Sequence, residues 1–448
     1  MQRPVQPVDP GRHPPMQPLT LHGYPRAIVH FDGDAFFTSV EQTLHPEWKG
    51  RPVVTGRERG IIACASYAAK ALGIQRGVAL HEARRRCPGL IILPSDYETY
   101  SLFSKRMFDI ARRFTPVVEE YSIDEGFADL TGLRRVFHAS YEDIARRFQQ
   151  AVEAELDITV SIGLSLSRSL AKLCSKYRKP RGFTAVPGYH LHLLLARTPL
   201  DKVWGCGPNT TALLAKFGLH TALDFVSRPE AWAAQVLGKI GRDLWQELHG
   251  HVVQPVVTEA KSAQYTVSKC KTFSAPSADH DFVLAQLIRN VESACIKLRR
   301  HRLRAHTLLV ALRQKDYRED ACEARLDRAA AATQEVVPLA VRLGEQLYRP
   351  GAAYRSTSVV LGRLEADGGR QLELFADGAR NEKMERLAAT VDAVNAQFGK
   401  HKVSLGTALQ LDRHIRTDRD HRPWRKTSLL AGETARQRLN IPRWAVSV

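Results

Sequence analysis

Cysteine pairing is missing from this chain. Its seven cysteines are scattered, and no two of them stand as Cys-x-x-Cys. That spacing excludes the common zinc frames, and an odd, dispersed set argues for a reducing compartment rather than a disulfide scaffold. Long apolar runs are missing as well, with no segment near the roughly 20 residues that a bilayer span needs. Residues 1–18 are rich in Pro and Gln without an apolar centre, which predicts a disordered lead-in and no secretory leader. A cytoplasmic location is the expectation. Acidic residues are in short supply: 47 Asp and Glu stand against 65 Lys and Arg, a net charge of +18. Such a balance favours a polyanionic partner, and with no lipid-anchor signal nucleic acid ranks ahead of an anionic membrane. What is present is ordinary for a soluble protein, 44% hydrophobic and 25% charged over 448 residues, a length that predicts three or four domains.

The few acidic residues are placed pointedly. Asp124 and Glu125 sit side by side in Glu119–Leu130, between short runs of strand-forming residues. Neighbours on a regular strand face opposite ways, so the two converge only at a hairpin turn or strand end, where Gly126 would supply backbone freedom. Alone, such a pair reads first as a solvated acidic turn. A second carboxylate changes that reading. The run Ala27–Phe31 predicts a buried strand ending in Asp32-Gly33-Asp34, with an amphipathic segment from Ala35 to Glu41 behind it. Asp34 is placed to cap that helix, while Asp32 stands at the strand's C-terminal end, where sheets present reacting groups. Strands about 5 Å apart suit two divalent ions about 3.5–4 Å from each other, and oxygen-only ligands favour Mg²⁺ over zinc. Two such ions serve phosphoryl transfer. Further on, a strand and a helix closed by Gly73 carry Tyr67 and Lys70 on one face, either for a triphosphate or as a packed ring beside a solvated cation. Leu80–Arg86 predicts a basic helix.

At this point a family resemblance is carried by the residues themselves. His30-Phe31-Asp32-Gly33-Asp34-Ala35-Phe36-Phe37, Ala65–Ile74 with Tyr67 and Lys70, and Tyr121-Ser122-Ile123-Asp124-Glu125-Gly126-Phe127 resemble the signature motifs of Y-family translesion DNA polymerases. Val160–Ser165, Leu170-Ala171-Lys172 and Lys179-Pro180-Arg181-Gly182 follow in family order, and the similarity runs from about Ile28 to Leu364. The bacterial branches, DNA polymerase IV and the catalytic subunit of polymerase V, are the nearest in pattern. The resemblance implies an α+β right-hand fold: a palm of mixed sheet and helices over 25–33 and 97–187, small fingers over 34–96, a helical thumb over 188–258, and an α/β little finger over 259–365. Residues 1–24 precede it, and 366–448 form a tail. It implies that Asp32, Asp124 and Glu125, with the carbonyl of Gly33, hold two Mg²⁺ ions. Phe37 becomes a steric gate against a 2′-hydroxyl with Phe36 beside it, and Cys64, Tyr67, Lys70 and Lys179 meet the dNTP. In four places the chain departs from the pattern. Gly33 stands where a bulkier residue is usual, Gly126 where Ala is, Cys64 where a hydroxyl is common, and Lys70 where polymerase IV has Arg, a point charge in place of a planar fork.

Beyond Gly182 the pattern Val203-Trp204-Gly205-Cys206-Gly207 predicts a helix–hairpin–helix, whose glycines Gly205 and Gly207 let the backbone approach a DNA phosphate. A plain αα-hairpin is the other reading. Lys269 and Lys271 lie in a basic tether running into an edge strand. A helix over 282–300, a strand over 307–313, a helix over 338–348 and a strand over 356–361 follow. Arg300 and Arg302, in a run with Lys297, Arg299 and Arg304, resemble the family's duplex-gripping surface, whose phosphate contacts are salt-sensitive. Gln371, Leu372, Leu374 and Phe375 resemble the peptide that docks into the bacterial sliding clamp, and Leu387, Val391, Val394 and Phe398 mark one face of an amphipathic helix stopped by Gly399. The expected activity is template-directed, low-fidelity synthesis from dNTPs on primed DNA, with the clamp and an accessory subunit as further partners. Two other readings stand beside it. A haloacid-dehalogenase-type phosphatase would use Asp32 and Asp34, but Phe36 and Phe37 follow where Thr or Val is needed. A non-catalytic accessory protein would bind DNA and the clamp alone, yet such proteins lose metal carboxylates that this chain keeps.

Overall fold

A computed structural model of the chain describes residues 17–258, 265–367, 378–398, 401–408 and 411. They form two compact units, one on either side of residues 259–264. The first carries β1 (Ile28–Gly33), β2 (Val53–Thr55), β3 (Cys64–Ala65), β4 (Ile91–Leu93), β5 (Val118–Glu120), β6 (Glu125–Asp129), β7 (Val160–Ser165) and β8 (Phe183–Ala185). Five of these build one sheet in the order β5-β6-β1-β7-β8, and β3-β2-β4 build a smaller one. The central strand β1 runs antiparallel to both β6 and β7.

Alternation along β1 sorts its residues between the two faces. Val29 and Phe31 enter a core with Phe108 and Phe148, from the helices Tyr97–Arg112 and Tyr141–Leu156. Ile28, His30 and Asp32 turn to the other face, where Ile28 packs with Ala171 and His30 bonds Ser175, both on the helix Arg168–Tyr177. That helix lies unusually close to β7. A Cβ on Gly163 would stand 2.1 Å from the Ala171 carbonyl oxygen and 2.3 Å from the Ser175 nitrogen. Gly126 also answers to space, which corrects the expectation that it lends flexibility: its φ is not in the left-handed region, and a Cβ there would meet Phe108 at 2.5 Å and Phe31 at 2.6 Å. The smaller sheet packs the helices Tyr67–Ala71 and Leu80–Arg86, the first closed by Gly73 at φ 73° as its sequence predicts. Four helices follow, Leu191–Ala196, Pro208–Ala215, Ala222–Val226 and Glu230–Leu248, around Leu195, Phe225 and Leu248.

The second unit is one antiparallel sheet, β11-β10-β12-β9, built from β9 (Thr266–Ser277), β10 (Leu303–Gln314), β11 (Glu319–Ala330) and β12 (Tyr354–Ala366). The helices His280–Arg300 and Thr333–Leu347 cover one face. Sequence reasoning passes over β11, whose Glu, Asp, Arg and Ala have low strand propensity and which is an edge strand with one face in solvent. The helix expected from Pro338 starts earlier, at Thr333, because burial of Val336 holds an extra turn despite the proline inside it. A last helix, Gly378–Phe398, docks with part of its expected apolar face: Val391 and Val394 are half-buried, while Leu387 and Phe398 stay exposed. Arg299 grips Asp392 with two nitrogens at 2.7 and 2.8 Å, Arg304 reaches Glu385 at 2.9 Å, and Ala388 and Asn395 are buried. Charge-assisted bonds thus add to the apolar contact. Among the described residues, no helix is long and apolar enough to cross a membrane.

Candidate active site

In the β1–β6 ladder Asp32 lies directly opposite Glu125, so the two carboxylates share one face. Asp124 stands one residue before β6, where the chain has left the strand. The Gly33 N–H donates to the Asp124 carbonyl at 2.7 Å, pinning the hairpin to the end of β1. Space beside Gly33 is taken by Phe36, whose Cδ2 would lie 2.9 Å from an added Cβ. A bulkier residue at 33 is therefore incompatible with this placement of the ring.

The three carboxylates differ in their company. Lys179 Nζ lies 2.5 Å from Asp32 Oδ1. Lys172 Nζ lies 3.0 Å from Glu125 Oε1, and His30 Nε2 stands 3.4 Å from Oε2. Burial pushes the Glu125 carboxyl up, but the bonds from His30 and Lys172 outweigh it and hold the group down at about 2. Burial lowers the pKa of His30 itself, whose Nδ1 lies 2.7 Å from Ser175 Oγ. Asp124 is different. Burial first, and then the charge of Asp32, push its carboxyl up; Ser122 Oγ donates to it at 3.0 Å, and among the described residues it has no basic partner. Among the described residues no three acidic, His or Cys side chains are arranged as a ligand set. Lys179 and Lys172 lie on Asp32 and Glu125 instead. The donor set is hard oxygen, which suits Mg²⁺, and the uncompensated Asp124 is where a cation is most needed.

Lys172 reaches the site although the sequence shows it only as part of a motif. Its ammonium lies 4.5 Å from the Tyr121 ring centroid and 4.9 Å from that of Trp204. Arg168 enters the same aromatic group 4.5 Å from Phe127 and pairs with Glu119 at 2.7 Å. These rings let two cations be buried, Lys172 against Glu125 and Arg168 against Glu119. No spacing rule reveals the pairing, because it depends on how the helix lies across β1 and β7.

Phe37 rests on Tyr100 with ring centroids 4.4 Å apart and planes at 13°, and Tyr100 is itself held by Glu41 at 2.5 Å. It is half-buried, a flat ring on a rigid base. Phe36 does not join it at the surface: at 2% exposure it is a core residue, which corrects its expected place beside a nucleotide. Lys70 Nζ lies 4.2 Å over the Tyr67 ring, and Cys64 Sγ lies 3.8 Å from Thr38 Oγ1. Asp34 is not the helix cap it was expected to be. Ala35 takes the cap position in a left-handed conformation without a side-chain bond, and Asp34 is buried, accepting from Ser161, Thr159, Tyr67 and the Arg181 backbone.

In the helical segment, Cys206 is buried and anchors its turn, while Gly205, at φ 95°, and Gly207 are exposed with open space where a Cβ would be. In the second unit Lys269 and Lys271 fall on the same strand face as buried Val267 and Phe273, the side the helices cover. Lys269 is pushed down first by burial and then by the charge of Lys297. Strand parity puts both half-buried lysines on the helix side of the sheet. Arg300 and Arg302 are exposed. Gln371, Leu372, Leu374 and Phe375 lie outside the described residues.

Comparison with known proteins places this arrangement. A solved Y-family DNA polymerase chimera of Dbh and Dpo4 superposes with a TM-score of 0.65 at 22% identity, covering 76% of this chain and 99% of that one. The fold is that of a multidomain Y-family polymerase. The family model described as impB/mucB/samB matches residues 31–176, and that for its C-terminal domain matches 265–374. DNA polymerase IV of Opitutus terrae is 34% identical over 384 residues, 85% of this chain and 97% of the relative. That of Moorella thermoacetica is 30% identical over 388 residues, 86% and 96% of the two chains. The chain belongs to the impB/mucB/samB family of Y-family polymerases, which are DNA-directed DNA polymerases.

Proposed function

We propose that this chain carries out translesion DNA synthesis in damage tolerance, joining a primer 3′-hydroxyl to the α-phosphorus of a templated dNTP and releasing pyrophosphate. The observation that carries this reading is the cross-strand pairing of Asp32 with Glu125, beside an Asp124 that has no basic partner among the described residues. Asp32, Asp124, Glu125 and the Gly33 carbonyl would hold two Mg²⁺ ions, which when bound assist the attacking oxygen and neutralise the leaving one. Lys179 then exchanges Asp32 for the triphosphate, joining Tyr67, Lys70 and Cys64 around it. Lys172 and His30 keep Glu125 ionised and oriented. The reading includes low fidelity, and it takes the five-stranded sheet as palm, the three-stranded sheet as fingers, the four helices as thumb and the second unit as little finger. Gly205 and Gly207 would seat a DNA phosphate, and Arg300 and Arg302 would meet the duplex backbone. We place the protein in the cytoplasm, with a sliding clamp and an accessory subunit as partners. Primer extension by the full chain on a primed template with dNTPs and Mg²⁺ tests the proposal; wild type that binds DNA but adds no templated nucleotide refutes it.

Two further outcomes follow from the assigned roles. Phe37→Ala removes the ring seated on Tyr100 and is expected to raise ribonucleotide incorporation relative to dNTP on the order of tenfold or more, measured as the ratio of kcat/KM values. Unchanged sugar discrimination rejects the gate. Replacing Gln371 and Phe375 together with Ala should abolish stimulation by the clamp while leaving basal extension intact; equal loss of both rejects the docking role.

A further inference from the structure

Asp34 is 1% exposed, too deep to touch a nucleotide, yet its carboxylate joins segments from three parts of the chain. Oδ1 accepts from Ser161 Oγ at 2.8 Å and from the Tyr67 hydroxyl at 3.4 Å, with Lys179 Nζ 3.8 Å away. Oδ2 accepts from the Arg181 backbone N–H at 2.7 Å and from Thr159 Oγ1 at 3.1 Å. Arg181 has φ 55°, a left-handed conformation that a non-glycine residue rarely keeps without a strong local bond. A charge-assisted bond to its N–H supplies one. Ser161 extends the same network, accepting from the Gly182 N–H at 3.2 Å. A buried carboxylate is costly unless every oxygen is satisfied, and here four donors satisfy two oxygens.

We propose that Asp34 is a positioning residue for the incoming nucleotide: it ties Tyr67 and the Lys179–Gly182 loop to the strand end that carries Asp32, so that the groups meeting the triphosphate keep a fixed separation. This rests on the polymerase reading above. Asp34 acts through the ring hydroxyl of Tyr67 and the backbone that presents Lys179. Fold stability alone would be the duller role for such a group, and the two roles predict different measurements.

Asp34→Asn keeps the shape but aims an amide N–H₂ at donors. Ser161→Ala removes one donor from a residue that is itself fully buried and out of a nucleotide's reach. Both full-length variants would be compared with wild type for equilibrium dNTP affinity on a dideoxy-terminated primer–template, for KM and kcat in extension, for DNA affinity and for melting temperature. The expected result is a rise in dNTP Kd and KM of about tenfold for Asp34→Asn, the lower end of what loss of a supporting bond costs a site, and a smaller rise for Ser161→Ala, with DNA affinity unchanged. Lower melting with wild-type dNTP affinity in Ser161→Ala, and in Asp34→Asn where it folds, overturns the proposal, as does a fall in kcat at constant KM. Wild type that binds no dNTP and extends no primer overturns the polymerase reading itself, and this inference with it.

Discussion

Asp124→Asn is expected to lower primer extension by more than about a hundredfold while DNA binding stays intact. Loss of a group that merely supports a metal ligand costs roughly 10–100-fold, and Asp124 is assigned as a ligand itself. The substitution is nearly isosteric, and Ser122 still has an oxygen to donate to, so the hairpin pinned by Gly33 should hold. What changes is charge at the one acidic group of the three that has no basic partner among the described residues. Glu125→Gln should do the same by another route, since it discards the charge that Lys172 and His30 converge upon and leaves two buried nitrogens poorly matched. The pair is measured by single-nucleotide incorporation under saturating DNA and dNTP, with DNA affinity followed in parallel. Activity within a few-fold of wild type in Asp124→Asn would remove Asp124 from the site.

A second large effect is expected at Gly163, which lies opposite His30 in the β1–β7 ladder. Gly163→Ala places a methyl group 2.1 Å from one backbone oxygen and 2.3 Å from a backbone nitrogen of the helix Arg168–Tyr177, and neither atom is the end of a flexible side chain. The helix must lift off β7. Overpacking typically costs 1–3 kcal/mol, and a rigid backbone contact belongs at about 3 kcal/mol or above. For a unit of this size that corresponds to a fall of roughly 6–12 °C in Tm, read by calorimetry. The same helix carries Lys172, so extension should weaken alongside stability. A wild-type Tm would mean that the helix has room to move that the packing denies it.

How far the sequence carried the reading depends on the range of the interaction. Asp32, Asp124 and Glu125 were legible because each sits at a strand end and the motif order supplies their meeting. Gly73 was legible because a helix stop is a local event. Asp34 was misread for the converse reason: its position before a helix is a local cue for a cap, while its partners Thr159, Ser161 and Arg181 lie more than a hundred residues away. The pairing of Lys172 with Glu125 is of the same long-range kind. In the Gly378–Phe398 helix the apolar stripe docks only through Val391 and Val394, and the hold of Arg299 and Arg304 on its carboxylates is a long-range pairing that periodicity does not show.

Those two arginines bear on how the basic excess should be counted. Arg299 is committed to Asp392, and Arg304 to Asp367 and Glu385, so neither arrives at a duplex with its charge uncompensated. Binding to B-DNA releases condensed counterions in proportion to the phosphates neutralised, with a slope in log K against log salt of about −0.9 for each. Each arginine kept in its internal pair removes about one such increment. The chain's +18 already nets these pairs out, so the helix that brings carboxylates to the second unit acts there as a fixed internal counterion.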